Sequence, residues 1–158
     1  MKSLFLIFVS NILCVLAFAN TGESDLEKEK RLSKVYLEQM SQEKNAQVLD
    51  QGVVLRPIFT SSSAVFPKIS DTISVTYHLT DREGKLIEES ISGDEVPAFP
   101  LEKLISCWKI AVPAMPIGSL LKVTCPSNAA YGDKGAGNDI KGGAAITFRL
   151  IVLGIENK

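Results

Sequence analysis

The stretch "SNAAYGDKGAGNDIKGGAAITF", residues 127–148, holds five of the chain's eleven glycines and carries Tyr131 at its head. It reads as a phosphate cradle, a flexible linker, or the rim of some other site. A phosphate-binding P-loop needs Gly-x-x-x-x-Gly-Lys-Ser/Thr. Gly137 and Gly142 have that gap, but Gly143 and Ala144 follow. A dinucleotide fingerprint needs Gly-x-Gly-x-x-Gly between a strand and a helix. Gly135-x-Gly137 is followed by Ile140, and then by strand-like sequence. Both phosphate readings fall away, and the stretch becomes a loop that runs from a tyrosine into a strand.

Working outward, "AAITFRLIVLGIE" sets Ile146, Phe148, Leu150 and Val152 on one face by simple alternation, the mark of a half-buried strand. "GSLLKVTC" is a second long strand, and "TISVTYHL" a third, with Ile73, Val75, Tyr77 and Leu79 on one face. "VVLRPIF" is β-branched and apolar, but Pro57 cannot donate to a ladder, which predicts an edge strand or a bulge. "TSSSAVFPKISD" reads as loop, "TDREGK" as a turn with Glu83-Gly84 at its tip, and "KLIEES" as a short strand. In "PLEKLISCWKIAV", Leu101, Leu104, Ile105 and Trp108 have helical spacing, and Pro113 ends the helix. Residues 51–158 are therefore expected to form an α+β domain, about five antiparallel strands wrapped on one short helix.

Residues 20–50 are polar, charged and free of proline. Ser24 and Glu27 form a capping box, and a helix is expected over 25–45. Leu26, Lys30, Ser33, Leu37 and Met40 lie near one face, an apolar stripe interrupted by polar residues. This helix packs on its own domain or on its twin in a dimer. Residues 1–19 have Lys2, an apolar run and the ending Ala17-Phe18-Ala19, the pattern of a cleaved secretory signal. Export to the periplasm, the outer surface or the medium is expected. A lipid anchor at Cys14 is disfavoured because Leu13 precedes it.

The 158 residues are 46% hydrophobic and 22% charged, enough for a core, and the net charge of −1 argues against nucleic acid or an anionic membrane as partner. Cys107 and Cys125 remain after the signal. In an oxidising compartment two thiols can pair. Nothing in the sequence brings their Cα atoms within range, and the expectation is two buried free thiols. Zinc is not expected, because His78 is the only histidine and no Cys-x-x-Cys occurs.

A serine triad needs a histidine placed as base, whereas His78 reads as a surface residue on a strand. Glu88 and Glu89 are adjacent on a strand, so they face opposite ways and cannot act on one bond. What remains is the set Tyr77, Phe99, Ile105, Trp108, Tyr131, Ile140 and Phe148. Core packing explains much of it, but Tyr131 sits in a loop and its hydroxyl needs a partner outside the core.

The order of residues is more specific than any of these. "VTYHL…EGKLIEES…AFPLEKLISCW…MPIGSLLKVTCPSNAAYG…ITFRLIVLGI" resembles the FKBP-type peptidyl-prolyl isomerases from about residue 70 to 156. The firmest parts are Leu104-Ile105-x-x-Trp108, Met115-Pro116-x-Gly118, Ala130-Tyr131-Gly132 and Ile146-x-Phe148. Pro97-Ala98-Phe99 and the N-terminal helix look like the macrophage-infectivity-potentiator branch, whose members are secreted and dimerise through an N-terminal extension. The resemblance implies a strongly bent sheet around one helix, with an apolar pocket between them. Trp108 forms its floor, Tyr77, Phe99 and Phe148 its walls, and Glu88 stands at its edge. The Ile105 N–H and the Tyr131 hydroxyl bond the peptide's carbonyls, while Ile87, Leu104 and Ile140 complete the substrate contacts.

The implied function is cis-trans isomerisation of X-Pro bonds in exported client proteins, without cofactor or metal. FK506-like macrolides are implied as possible inhibitors, and a homodimer through the N-terminal helix as a possible assembly. Three departures stand out: Ile87-Glu88 where the family has Phe-Asp, Cys107 where it has glycine, and Lys141-Gly142 where it tends to have proline. A Cβ at 107 is expected to press on the neighbouring strand, and a weaker catalyst to result. The alternative is a chaperone or binding module of the same fold with weak or no isomerase activity.

Overall fold

The computed structural model describes residues 22–90 and 96–156; the signal pattern over 1–19 lies outside the described residues. Two long strands form the spine. β3 (Thr72–Asp81) and β7 (Ile146–Glu156) pair antiparallel along their whole length, from Thr72 opposite Glu156 to Asp81 opposite Ile146. On the other side of β7 comes β6 (Leu120–Cys125), then β2 (Val54–Phe59), then β1 (Gln47–Val48). β4 (Leu86–Glu89) and β5 (Ala98–Pro100) both pair with β3. The sheet therefore has seven strands rather than the expected five. The additions, β1 and β5, have two and three residues, too few to show an alternation.

The alternating sets behave as a sheet with one buried face should. Ile73, Val75, Leu79, Ile146, Phe148, Leu150 and Val152 are all buried in one core with Leu55, Leu121 and Val123. Pro57 lies beyond the end of β1 and beside a register irregularity between Pro57 and Phe59, so its missing N–H breaks no ladder.

The core's inner side is closed by α2 (Ser106–Ala111), shorter than the helix expected over "PLEKLISCWKIAV". Leu101–Lys103 makes a separate single turn, and Leu104 and Ile105 are extended, with ψ of 170° and 153°. Pro113 lies in a final tight turn at Val112–Ala114, where its lack of an N–H stops the α-helical ladder.

Cys107 and Cys125 correct the expectation of free thiols: they form a disulfide, with Cα atoms 5.6 Å apart. The bond joins α2 to the end of β6, and both residues are fully buried. The Cβ at position 107 thus leads into a cross-link with the neighbouring strand instead of pressing against it.

The N-terminal segment forms α1 (Asp25–Ser41), capped by the Ser24 hydroxyl, which accepts from the Glu27 N–H at 3.2 Å. It stops short of residue 45, and Asn45 has φ of 66°, outside the helical region. The helix lies on the outer face of the sheet. Tyr36 Oη and Thr147 Oγ1 share a hydrogen bond of 2.8 Å, and Thr147 in turn meets Thr124 Oγ1 at 3.0 Å. Glu29 is buried and takes a two-pronged contact from Arg82, at 2.8 and 3.3 Å. Glu43, just past the helix, takes Lys122 Nζ at 2.7 Å and Arg56 Nε at 2.6 Å.

Candidate functional site

Where β3 and β7 meet α2, three aromatic rings come together edge to face. Trp108 lies 5.3 Å from Tyr77 and 5.2 Å from Phe148, at interplanar angles of 88° and 90°. Tyr77 and Phe148 close the triangle at 5.9 Å and 72°. Such T-shaped contacts are worth about 0.5–1.5 kcal/mol each beyond buried area, so the group is stiff. Strand register supplies two of the rings: Phe148 is opposite Leu79, and Tyr77 opposite Leu150, so both side chains point inward from paired strands.

The rings line a cavity of roughly 100 Å³, together with Glu88, Phe99, Leu104, Ile105 and Tyr131. At about 30 Å³ per water, that is room for one small ring rather than a drug-sized molecule. Eight of the ten candidate residues thus share one cavity. Ile87 and Ile140 are not among its lining. Ile87 is half-buried against the core, and Ile140 is buried there, its backbone exchanging bonds with Ala136 at 2.9 and 3.1 Å.

Polar groups sit on the rim. The Tyr77 hydroxyl donates to Glu88 Oε1 at 2.6 Å. Glu89, the next residue, points away and meets His78 Nδ1 at 3.5 Å, as strand alternation requires. The extra methylene of Glu88 therefore does not leave its carboxylate adrift; it reaches the phenol. Burial, and then the Glu88 hydrogen bond, push the Tyr77 phenol far above its ordinary range. Burial, and then the charge of Glu88, push Tyr131 up as well. Both hydroxyls are thus held as donors.

Two of the lining residues carry an uncommitted donor. Among the described residues, neither the Ile105 N–H nor the Tyr131 hydroxyl has a hydrogen-bond partner. Ile105 is the N-cap residue of α2, so its N–H precedes the helical ladder. Ser90 is a residue that sequence reasoning missed: its Oγ accepts from the Tyr77 N–H at 2.8 Å and ties the wall of the cavity to the end of β4. A lone serine after a strand carries no sequence signal of that role.

The model for the family described as FKBP-type peptidyl-prolyl cis-trans isomerase matches residues 63–153. An FKBP-type peptidyl-prolyl cis-trans isomerase FkpA of Aeromonas hydrophila is 28% identical over 85% of this chain and 50% of its own length. A macrophage infectivity potentiator of Trypanosoma cruzi is 25% identical over 98% of this chain and 79% of its own. The crystal structure of FkpA from Escherichia coli superposes with a TM-score of 0.78 at 26% identity, covering 84% of this chain and 61% of that one. The chain spans about half the length of the first such relative, 50%.

Proposed function

Because the chain belongs to the FKBP-type peptidyl-prolyl cis-trans isomerase family, we propose that its cavity isomerises X-Pro peptide bonds in client polypeptides. The observation that carries this reading is the convergence of Tyr77, Trp108, Phe148 and Phe99 on one ring-sized apolar cavity, with free donors at its mouth. The X-Pro amide resists rotation because its C–N bond is conjugated, with a barrier of ~18–20 kcal/mol. The planar amide is polar and well hydrated. The twisted one is less conjugated and less polar, so a water-poor aromatic cavity favours it. Rate enhancement is then preferential binding of the twisted state. The prolyl ring would rest on Trp108, and the Ile105 N–H and Tyr131 hydroxyl would hold flanking carbonyls. No bond to the protein forms or breaks.

The departures from the family pattern leave this cavity formed. Glu88 bonds Tyr77, and Cys107 is paired away from the lining. A protease-coupled assay on an Ala-Leu-Pro-Phe peptide tests the reading: acceleration at micromolar protein supports it, and none removes it. Protection of a denatured client without acceleration would favour the binding-module alternative.

Export belongs to the same reading. The residue 1–19 pattern motivates it, and the Cys107–Cys125 bond agrees with an oxidising compartment. A mature N-terminus at Asn20 is the expected mass-spectrometric result. As to assembly, α1 gives the side bearing Leu26, Ser33 and Tyr36 to its own domain. A second copy would meet the outward side, where Val35 is exposed. Light scattering at tens of micromolar tests that homodimer: a dimer mass supports it, and a purely monomeric mature protein removes it.

A further inference from the structure

Helix α1 meets the glycine-rich loop at three successive levels. Near its start, Leu26 Cδ1 packs on Gly142 and Gly143. A Cβ added at Gly143 would stand 2.7 Å from Lys30 Cγ and 3.2 Å from Leu26 Cδ1, so the helix comes this close only to a glycine. One turn on, Lys30 Nζ donates to Asp133 Oδ2 at 2.9 Å. Another turn on, the buried Ala145 N–H donates to Ser33 Oγ at 2.8 Å.

The loop's own bonds carry this contact toward the cavity. The Gly143 N–H donates to the Gly132 carbonyl at 2.9 Å, and Gly132 directly follows Tyr131. Asp133 turns back against Gly142 so tightly that a Cβ there would lie 2.1 Å from the Asp133 carbonyl oxygen. Across the same loop, Ala136 and Ile140 exchange backbone bonds. Residues 127–148 hold five glycines and no proline, so the chain's own stiffness does little to hold this shape. The exposed Lys30–Asp133 pair is by itself a weak tie. The seat of Leu26 and the buried Ser33 bond supply the rest.

We propose that α1 is the brace of the catalytic loop: docked on residues 132–145, it fixes Tyr131 over the cavity, with Leu26, Lys30 and Ser33 as positioning residues. The kinetic consequence rests on the isomerase reading; the structural one does not.

Two variants of the full mature chain test this. Leu26→Asp sets a carboxylate against the loop, and Ser33→Ala leaves the Ala145 N–H without its acceptor. Ser33→Thr keeps the hydroxyl and serves as the rescue. The first readout is amide exchange at Ala136, Ile140 and Gly143. It rises about tenfold in both variants if the brace orders the loop, while β3 and β7 amides keep their protection. The second readout is kinetic. kcat/KM on an X-Pro peptide falls about five- to tenfold, carried by kcat, while peptide affinity followed by Trp108 fluorescence changes less than about twofold. Ser33→Thr recovers both readouts. Unchanged exchange overturns the proposal, and so does faster exchange with unchanged kcat/KM. A wild-type chain that does not isomerise would overturn the functional reading, yet the exchange data would still decide the brace.

Discussion

Opening the Cys107–Cys125 bond should lower the melting temperature by about 10 °C. The cross-link closes a loop with a sequence separation of 18, and loop-closure entropy for that length comes to about 3 kcal/mol. Unfolding entropy near the midpoint is about 2.1 cal/mol/K per residue, or roughly 0.27 kcal/mol/K for on the order of 130 ordered residues. Dividing the first figure by the second gives about 11 °C. The Cys107→Ala/Cys125→Ala variant should fall further, because both sites are fully buried and losing each sulfur leaves a void. Calorimetry with and without a dithiol reductant measures the drop, beside a thiol titration in denaturant that proves the bond open. Burial makes reduction slow, so the reductant must act during partial unfolding. Isomerase activity should decline along with stability, since the bond anchors the helix that carries Trp108. A drop under about 3 °C in a sample with two titratable thiols would refute the reasoning: the bond would then add little that packing does not already supply.

Three other outcomes follow from the same geometry. Glu88→Gln keeps an acceptor for the Tyr77 hydroxyl but removes the charge, so kcat/KM should fall about fivefold, the difference of ~1 kcal/mol between charge-assisted and neutral bonds; an unchanged rate would free Glu88 of any role. Tyr77 and Tyr131 have native pKa values raised above the ~10 of an unfolded chain. The native state therefore keeps protons that the unfolded state loses, and the stability they contribute is full below pH ~10 and lost as pH rises above it. Absorbance at alkaline pH should show the Tyr77 and Tyr131 phenols still protonated near pH ~10 while the fold persists; both ionising there would contradict the site. Glu29→Leu should cost about 2 kcal/mol by leaving Arg82 with only Glu83 at the α1 seam, seen as a urea midpoint lower by about 1 M.

The strands were legible because alternation is local: Ile146, Phe148, Leu150 and Val152 announce their shared face without any partner. The cavity was legible only through the ordered motifs, since nothing in composition joins Tyr77 to Trp108. The Cys107–Cys125 pairing was hidden, because a 5.6 Å approach of α2 to β6 is a tertiary fact. The stripe on α1 looked broken for a related reason. Lys30 and Ser33 interrupt it as polar residues, yet these, with Glu29 and Tyr36, are the side chains that grip the domain, through Asp133, Ala145, Arg82 and Thr147. Polar docking leaves no hydrophobic period to find. The glycine loop shows the same limit: its looseness in sequence is answered by a helix about a hundred residues upstream, as the Lys30–Asp133 separation of 103 illustrates.

The most direct test is exchange NMR on an Ala-Leu-Pro-Phe peptide, with wild-type protein beside Trp108→Leu. That variant removes the ring contacting both Tyr77 and Phe148 while keeping an apolar side chain at the cavity floor. The account predicts that micromolar wild type speeds cis-trans exchange well beyond the uncatalysed tens to hundreds of seconds, and that Trp108→Leu loses at least about tenfold of that acceleration while remaining folded. Equal rates with and without the wild-type protein, or full activity in Trp108→Leu, would contradict it.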